Sequence, residues 1–369
     1  MKIGFDIRPA LFDYAGVARY SRELAIELSR HPSAPQLEMF APSWRGGRNI
    51  PPELANASNV AMNRGWLPKR IMHQLHHLPG LGAGRLPKKV DVFHWTDYDF
   101  PSVRSCATLM TVHDAAFAVD PKFHGRDTTA LIAKVRAAIN RANIVVVVSE
   151  PSVRDAEMLG VNPEDVRVIP NGVSPFFQPP KDPAQARDYL LTVGTFEPRK
   201  NYMRILKALE IAWQKDAAPD WHIIGRPGWD YGDFFRKLEK SKFRKRVHLK
   251  EGLSESQLRA AYQGALALIY PSLHEGFGLP VLEAMACATP VVVGDKTAPS
   301  WVAGEAGMRV DPRNVDSIAE GIERIVSEGS WRKQAAAVLH RRAQEFSWEK
   351  AAEQTMAAYR DAIQAFAER

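Results

Sequence analysis

Two series of short, continuous apolar runs, separated by one proline-rich break, leave this chain few folds to adopt. In the first series KIGFDI (2–7), VDVFHW (90–95), ATLMTVHD (107–114) and ANIVVVVSE (142–150) read as strands. They are apolar without alternation, as strands covered on both faces of a parallel sheet are. Between the first two, GVARYSRELAIELSRH (16–31) brings Ala18, Leu24, Ala25 and Leu28 near one face of a helix. The stretch NGVSPFFQPPKDPAQARD (171–188) has no apolar period and reads as a linker. The alternation then restarts. YLLTVGT (189–195), WHIIG (221–225), RVHLKEG (246–252), ALALIYPS (265–272) and TPVVVGD (289–295) read as strands. NYMRILKALEIAWQKD (201–216), SESQLRAAYQG (254–264) and PVLEAMAC (280–287) read as helices, the second capped by Ser254. Two such arrays predict an α/β protein of two doubly wound, Rossmann-like domains facing across a cleft. The expected division is 1–177, a linker at 178–188, and 189–350. A length of 369 residues suits two cores rather than one.

Charge is concentrated. Between Arg45 and Lys89 lie eight cations (Arg45, Arg48, Arg64, Lys69, Arg70, Arg85, Lys88, Lys89) and one carboxylate, Glu53, a local excess equal to the +7 of the whole chain. Trp66, Leu67, Ile71, Met72, Leu75 and Leu78 are interspersed, so the segment fits either an anionic membrane surface or a solvated basic loop. Nothing in it matches a groove-reading motif for nucleic acid. Two isolated cysteines, Cys106 and Cys287, without metal-ligand spacing, fit a reducing compartment. No window approaches the roughly 20 apolar residues of a membrane span. The expectation is a cytoplasmic protein, peripheral at most to the inner face of the plasma membrane.

In doubly wound sheets ligands bind beyond the carboxyl ends of the strands. After ALALIY comes HEGFGLPVLEAMACATPVV (274–292), with Glu275 in a post-strand loop, Glu283 one turn into a helix, and Pro280 in that helix's first turn, where its missing N–H costs nothing. Backbone N–H groups at Phe277, Gly278 and Leu279 would form the positive end of the helix, suited to phosphate. Glycines at 276 and 278 let a polar ligand approach the main chain. Two carboxylates flanking an anion site suit a ligand with hydroxyls on both sides of a pyrophosphate. Alone, either glutamate reads equally as a helix-dipole acid or an incidental loop acid. VGTFEPRKN (193–201) supplies the cations: Gly194 permits a tight turn, and Arg199 and Lys200 offer a fork and a point charge to a diphosphate.

EPRKN followed by HEGFGLPVLEAMACATPVV resembles glycosyltransferase family 4, whose members have the GT-B fold and retain anomeric configuration. The likeness extends through GVARYSRELAIEL, TVHD, VIPNGV (a strand before the linker) and SWEKAAEQTMAAYRDAI. The last implies a C-terminal helix, about 351–369, packed back on the first domain. The resemblance implies that Glu275 holds the donor hexose, Glu283 the ribose, and Arg199 with Lys200 the diphosphate. Backbone groups of Phe277, Gly278 and Leu279 touch sugar and phosphate. Leu253 packs on the base, His113, next to Asp114, reaches the hexose, and Gly16 approaches the phosphates. Many relatives have two glycines in that first loop; DYAGVARY has one.

Breaking an anomeric bond to a nucleoside diphosphate builds negative charge on the phosphate, so fixed cations and N–H donors there would be the main catalytic resource. The resemblance implies front-face attack by the acceptor, without a protein nucleophile, and no metal or other cofactor. The form GTFEPRKN is most similar to GDP-mannose-using members of bacterial polysaccharide assembly, with a glycan or lipid-linked acceptor. A metal-dependent GT-A transferase using Asp97-Tyr98-Asp99, a UDP-sugar transferase of the same fold, and a noncatalytic nucleotide-sugar binder remain as alternatives. FDIRPALFDYAG lacks the G-x-G-x-x-G turn of a dehydrogenase.

Overall fold

The structure, a computed structural model, describes residues 1–12, 16–41, 50–64, 89–98, 103, 105–124, 128–182 and 187–368. Among the described residues one parallel sheet has seven strands: β1 (Lys2–Asp6), β2 (Gln36–Ala41), β3 (Val60–Arg64), β4 (Val92–Trp95), β5 (Ala107–Val112), β6 (Ile144–Val147) and β7 (Val166–Val168). A second has six: β8 (Tyr189–Val193), β9 (Asp220–Ile224), β10 (Val247–Lys250), β11 (Ala265–Tyr270), β12 (Val291–Gly294) and β13 (Met308–Val310). The orders are β3-β2-β1-β4-β5-β6-β7 and β10-β9-β8-β11-β12-β13. Each reverses direction once, between β1 and β4 and between β8 and β11, which makes these the topological switch points. Both sheets are doubly wound, and the α/β class read from the sequence holds.

The chain forms two compact units. The first takes the described residues of Met1–Ala115, Thr129–Gly172 and Ser347–Arg369; the second takes those of Ala116–Thr128 and Val173–Phe346. Although Ala116–Thr128 lies between two strands of the first sheet in sequence, it packs with the second unit, its turn Pro121–Phe123 against Pro198–Lys200. One expected strand is displaced. VIPNGV, read as the strand before the linker, begins where β7 ends; Pro170 has no N–H to continue a ladder, and Ile169 N makes the last bond, to Val147 O (2.9 Å).

In the first unit the helix Trp348–Ala367 packs against the helix Gly16–Arg30 and across β5. Its Tyr359 enters a buried polar chain: Tyr359 Oη meets His94 Nδ1 at 2.7 Å, His94 Nε2 meets Thr111 Oγ1 at 2.8 Å, and Thr111 Oγ1 meets Tyr20 Oη at 2.8 Å. A neutral imidazole, donating from one nitrogen and accepting at the other, satisfies this arrangement. Burial pulls His94 down to about 3, so it stays neutral. The second sheet has a similar buried link: Trp221 Nε1 donates to Thr192 Oγ1, which donates to Ile269 O, both at 2.9 Å. Around it Leu190, Ile205, Leu209, Ile223 and Ile322 are fully buried. Among the described residues no helix is long and apolar enough to cross a membrane.

Candidate active site

Beyond the carboxyl ends of β8 and β11, at the second switch point, three charged side chains meet. Lys200 Nζ lies 2.5 Å from Glu275 Oε1, and Arg199 Nη1 lies 2.7 Å from Glu275 Oε2. Arg199 Nε also donates to Glu197 Oε2 (2.8 Å), and Lys200 to Tyr270 Oη (2.6 Å). All three charged side chains are at least four-fifths enclosed. Burial alone would raise the Glu275 carboxyl, but Arg199 and then Lys200 outweigh it and hold it at about 2. Burial lowers Lys200, with Glu275 pushing back; burial raises Glu197, with Arg199 opposing. At neutral pH the centre is a carboxylate clasped by two cations.

Local structure explains how consecutive residues converge on one carboxylate. Pro198–Lys200 is a 3-10 turn, closed by Asn201 in the left-handed region (φ 67°) that asparagine tolerates. Asn201 Nδ2 donates to Pro271 O (2.9 Å) and Pro312 O (2.6 Å), tying together the loops after β8, β11 and β13. Leu273 N donates to Arg199 O (2.7 Å), fixing the Glu275 loop to the Arg199 turn.

Next to Glu275 the helix Leu279–Ala286 begins at Gly278, with φ 103° and Pro280 in the first turn. A Cβ on Gly278 would sit 3.1 Å from Pro299 Cγ. Val281 N and Leu282 N donate to Gly278 O (2.9 and 3.2 Å) and Pro280 has no N–H, so the main chain up to Leu279 forms the positive pole of the helix. Phe277 turns its ring into the protein, 6.4 Å from Trp301 and 5.9 Å from Phe346, so only its main chain serves the loop surface. Glu283 is buried, and its Oε2 accepts from Tyr262 Oη at 2.8 Å.

The chain is similar to known proteins over most of its length. A model described as Glycosyltransferase Family 4 matches residues 14–175, and one described as Glycosyl transferases group 1 matches residues 175–345. O-antigen chain mannosyltransferase B of Escherichia coli is 29% identical over 386 residues, covering 98% of this chain and all of that protein. The chain is a family 4 glycosyltransferase. Among solved structures, sucrose-phosphate synthase from Thermosynechococcus elongatus (TM-score 0.73, 19% identity, all of both chains) shares its GT-B fold. So does HepE of Anabaena in complex with UDP-glucose (TM-score 0.69, 16% identity, 97% of this chain and 98% of that one).

The transferase's other sequence-predicted residues fall in several places. Gly194 directly follows β8; its N donates to Ile224 O (2.9 Å) and its O accepts from Tyr202 Oη (2.6 Å). Leu253 is half-buried between Gly252 (φ 68°) and Ser254, whose capping box with Gln257 starts the helix Glu255–Gly264. His113, in the first unit, follows β5; its Nε2 donates to Thr96 O (3.0 Å), leaving Nδ1 as the acceptor nitrogen of the neutral ring. Burial lowers its affinity for a proton, partly offset by the Thr96 carbonyl. Gly16 is the exposed first residue of the helix Gly16–Arg30. Asp97 is half-buried and accepts from Tyr98 N (2.7 Å), whereas Asp99 lies outside the described residues, as does most of the basic segment 45–89. Sequence reasoning missed Glu197, Asn201 and Tyr270. Asn201 alone carried a signal, its place directly after the cation pair.

Proposed function

We propose that this enzyme transfers mannose from GDP-mannose, with retention, to a glycan or lipid-linked saccharide in cell-surface polysaccharide synthesis. The observation that carries the reading is the clasp of Arg199 and Lys200 around Glu275 beside a helix N-terminus. A diphosphate entering there meets two fixed cations and the positive end of the helix Leu279–Ala286, the environment that stabilises a departing phosphate. Lys200 spends two of its three N–H groups on Tyr270 and Glu275, which leaves one for a phosphate oxygen. Glu275, held ionised, accepts from hexose hydroxyls, and Glu283 is assigned to the ribose. Leu253 gives the base an apolar surface, and Gly16 and Gly194 allow close approach of the main chain.

Charge balance argues against Glu275 as nucleophile, because a carboxylate at about 2 between two cations is a poor one. The acceptor oxygen therefore attacks from the face that the phosphate leaves, and its proton goes to that phosphate. His113 Nδ1 accepts a hexose hydroxyl. The mannose assignment draws on the full-length likeness to an O-antigen mannosyltransferase. A second reading, transfer from a UDP-sugar, is favoured by the fold shared with HepE, which was solved with UDP-glucose. Thermal shift separates them, since a ligand bound only by the folded state raises its apparent stability. GDP is expected to raise Tm and UDP to leave it in place; stabilisation by UDP alone would remove the mannose assignment. The basic segment 45–89 suits peripheral contact with the inner membrane. Cosedimentation with anionic but not zwitterionic vesicles is the expected result.

A further inference from the structure

Trp229 Nε1 and His124 Nδ1 are both enclosed without a hydrogen-bond partner. Their rings lie 6.2 Å apart, tilted by 48°. A buried polar atom without a partner is costly, so two neighbouring orphans need a reason. Both residues belong to the second unit and both flank the loop that carries the cation pair. Pro121–Phe123, just before His124, packs on Pro198–Lys200. The loop before Trp229 is pressed on the same stretch: Phe196 N donates to Arg226 O (3.0 Å), Phe196 and Pro227 form a bridge, and a Cβ on Gly228 would lie 2.3 Å from Phe196 O.

The geometry points to a sugar-hydroxyl subsite formed by Trp229 and His124 on the rim of the donor pocket. Indole N–H only donates, so the missing partner is an acceptor. An imidazole Nδ1 donates in one tautomer and accepts in the other. A hydroxyl satisfies the pair in either case, because its oxygen takes two hydrogen bonds or takes one and gives one. A phosphate oxygen fits one tautomer only. The subsite rests on the glycosyltransferase reading above, which supplies two hydroxyl-rich ligands: the donor hexose and the acceptor saccharide.

Three substitutions test it: Trp229→Phe, which removes the N–H and keeps the ring; His124→Asn, whose amide reaches the place of Nδ1; and His124→Gln, whose amide reaches beyond it. Calorimetric titration of GDP-mannose, and of octyl α-mannoside in the presence of GDP, is compared with GDP alone. Trp229→Phe is expected to weaken one sugar ligand about tenfold, the loss of a single neutral hydrogen bond, and to leave GDP unaffected. Weakened GDP-mannose assigns the hydroxyl to the donor hexose; weakened mannoside assigns it to the acceptor. His124→Asn should bind within about threefold of the parent and His124→Gln about tenfold more weakly. Free Trp229→Phe should melt at or above the parent Tm, since it removes an orphaned donor. A lower Tm means that a structural water already satisfies the pair and overturns the subsite, as does unchanged binding of both sugars. If the parent binds GDP but neither sugar, the subsite falls while the nucleotide pocket stands. Failure to bind GDP or UDP strikes the function reading itself.

Discussion

Glu275 carries more of the active site's electrostatics than its place in a loop suggests. Replacing it with glutamine keeps the shape, leaves enclosed Lys200 without its anion and leaves Arg199 with Glu197 alone. Breaking such a pair typically costs about 3 kcal/mol. A diphosphate would restore the missing charge, so GDP should raise the Tm of Glu275→Gln by more than it raises the parent's, while transfer activity drops. Equal GDP shifts would mean that the cations do not face the phosphates. His94 sets a different dependence. Its unfolded value is 6.5 and its folded value about 3, so its contribution is complete above pH 6.5 and is lost progressively toward pH 3 as the unfolded chain takes up the proton. Stability should begin to fall between pH 6.5 and 5, before most carboxylates titrate. His94→Gln should be less stable at pH 7.5 yet flatter across that interval. A parent-like slope in the variant would assign the loss to other groups.

At the scale of elements, the loop-to-helix junction after β11 depends on one backbone conformation. Gly278→Ala places a side chain at φ 103° and 3.1 Å from Pro299, and is expected to cost about 1–2 kcal/mol and to tilt the helix N-terminus. GDP should then bind more weakly. Gly160→Ala is the control: φ is 92°, but nothing lies within 4 Å of the new Cβ, so it should lose similar stability without losing nucleotide affinity. Equal nucleotide affinity in both variants would detach the helix tip from the phosphate site. The same scale shows what the sequence made legible. Continuous runs such as β6 and β12, fully buried, announced themselves. β2 did not, because Glu38 interrupts its apolar pattern and reaches Lys2 Nζ at 2.8 Å. β3 lies at a sheet edge and ends in polar Asn63 and Arg64, and β13 has three residues, too few for a period. In the site, Arg199, Lys200 and Glu275 were readable as charges at strand ends. Their clasp was not, because it depends on the left-handed Asn201 joining loops up to 111 residues apart in sequence.

For the whole molecule, the two units draw differently on the chain's end. The helix Trp348–Ala367 buries Trp348, Ala351, Ala352, Thr355, Met356, Tyr359 and Ala362 within the first unit. Gly172 lies so close to it that a Cβ there would be 2.2 Å from Trp348 N. The helix also carries Tyr359, one end of the His94 chain, so its removal bares β5 and leaves buried His94 Nδ1 unsatisfied. The second unit's described core, from Leu190 to Ile325, contains no residue of that helix. A chain ending at Phe346 should therefore lose the cooperative melting of the first unit and expose apolar surface to a hydrophobic dye. A GDP-stabilised transition belonging to the second unit should remain, since domains with their own cores fold on their own terms. Calorimetry of both chains with and without GDP makes the comparison. If truncation abolishes the GDP-sensitive transition as well, the units fold as one, and the nucleotide pocket depends on the first sheet for its stability.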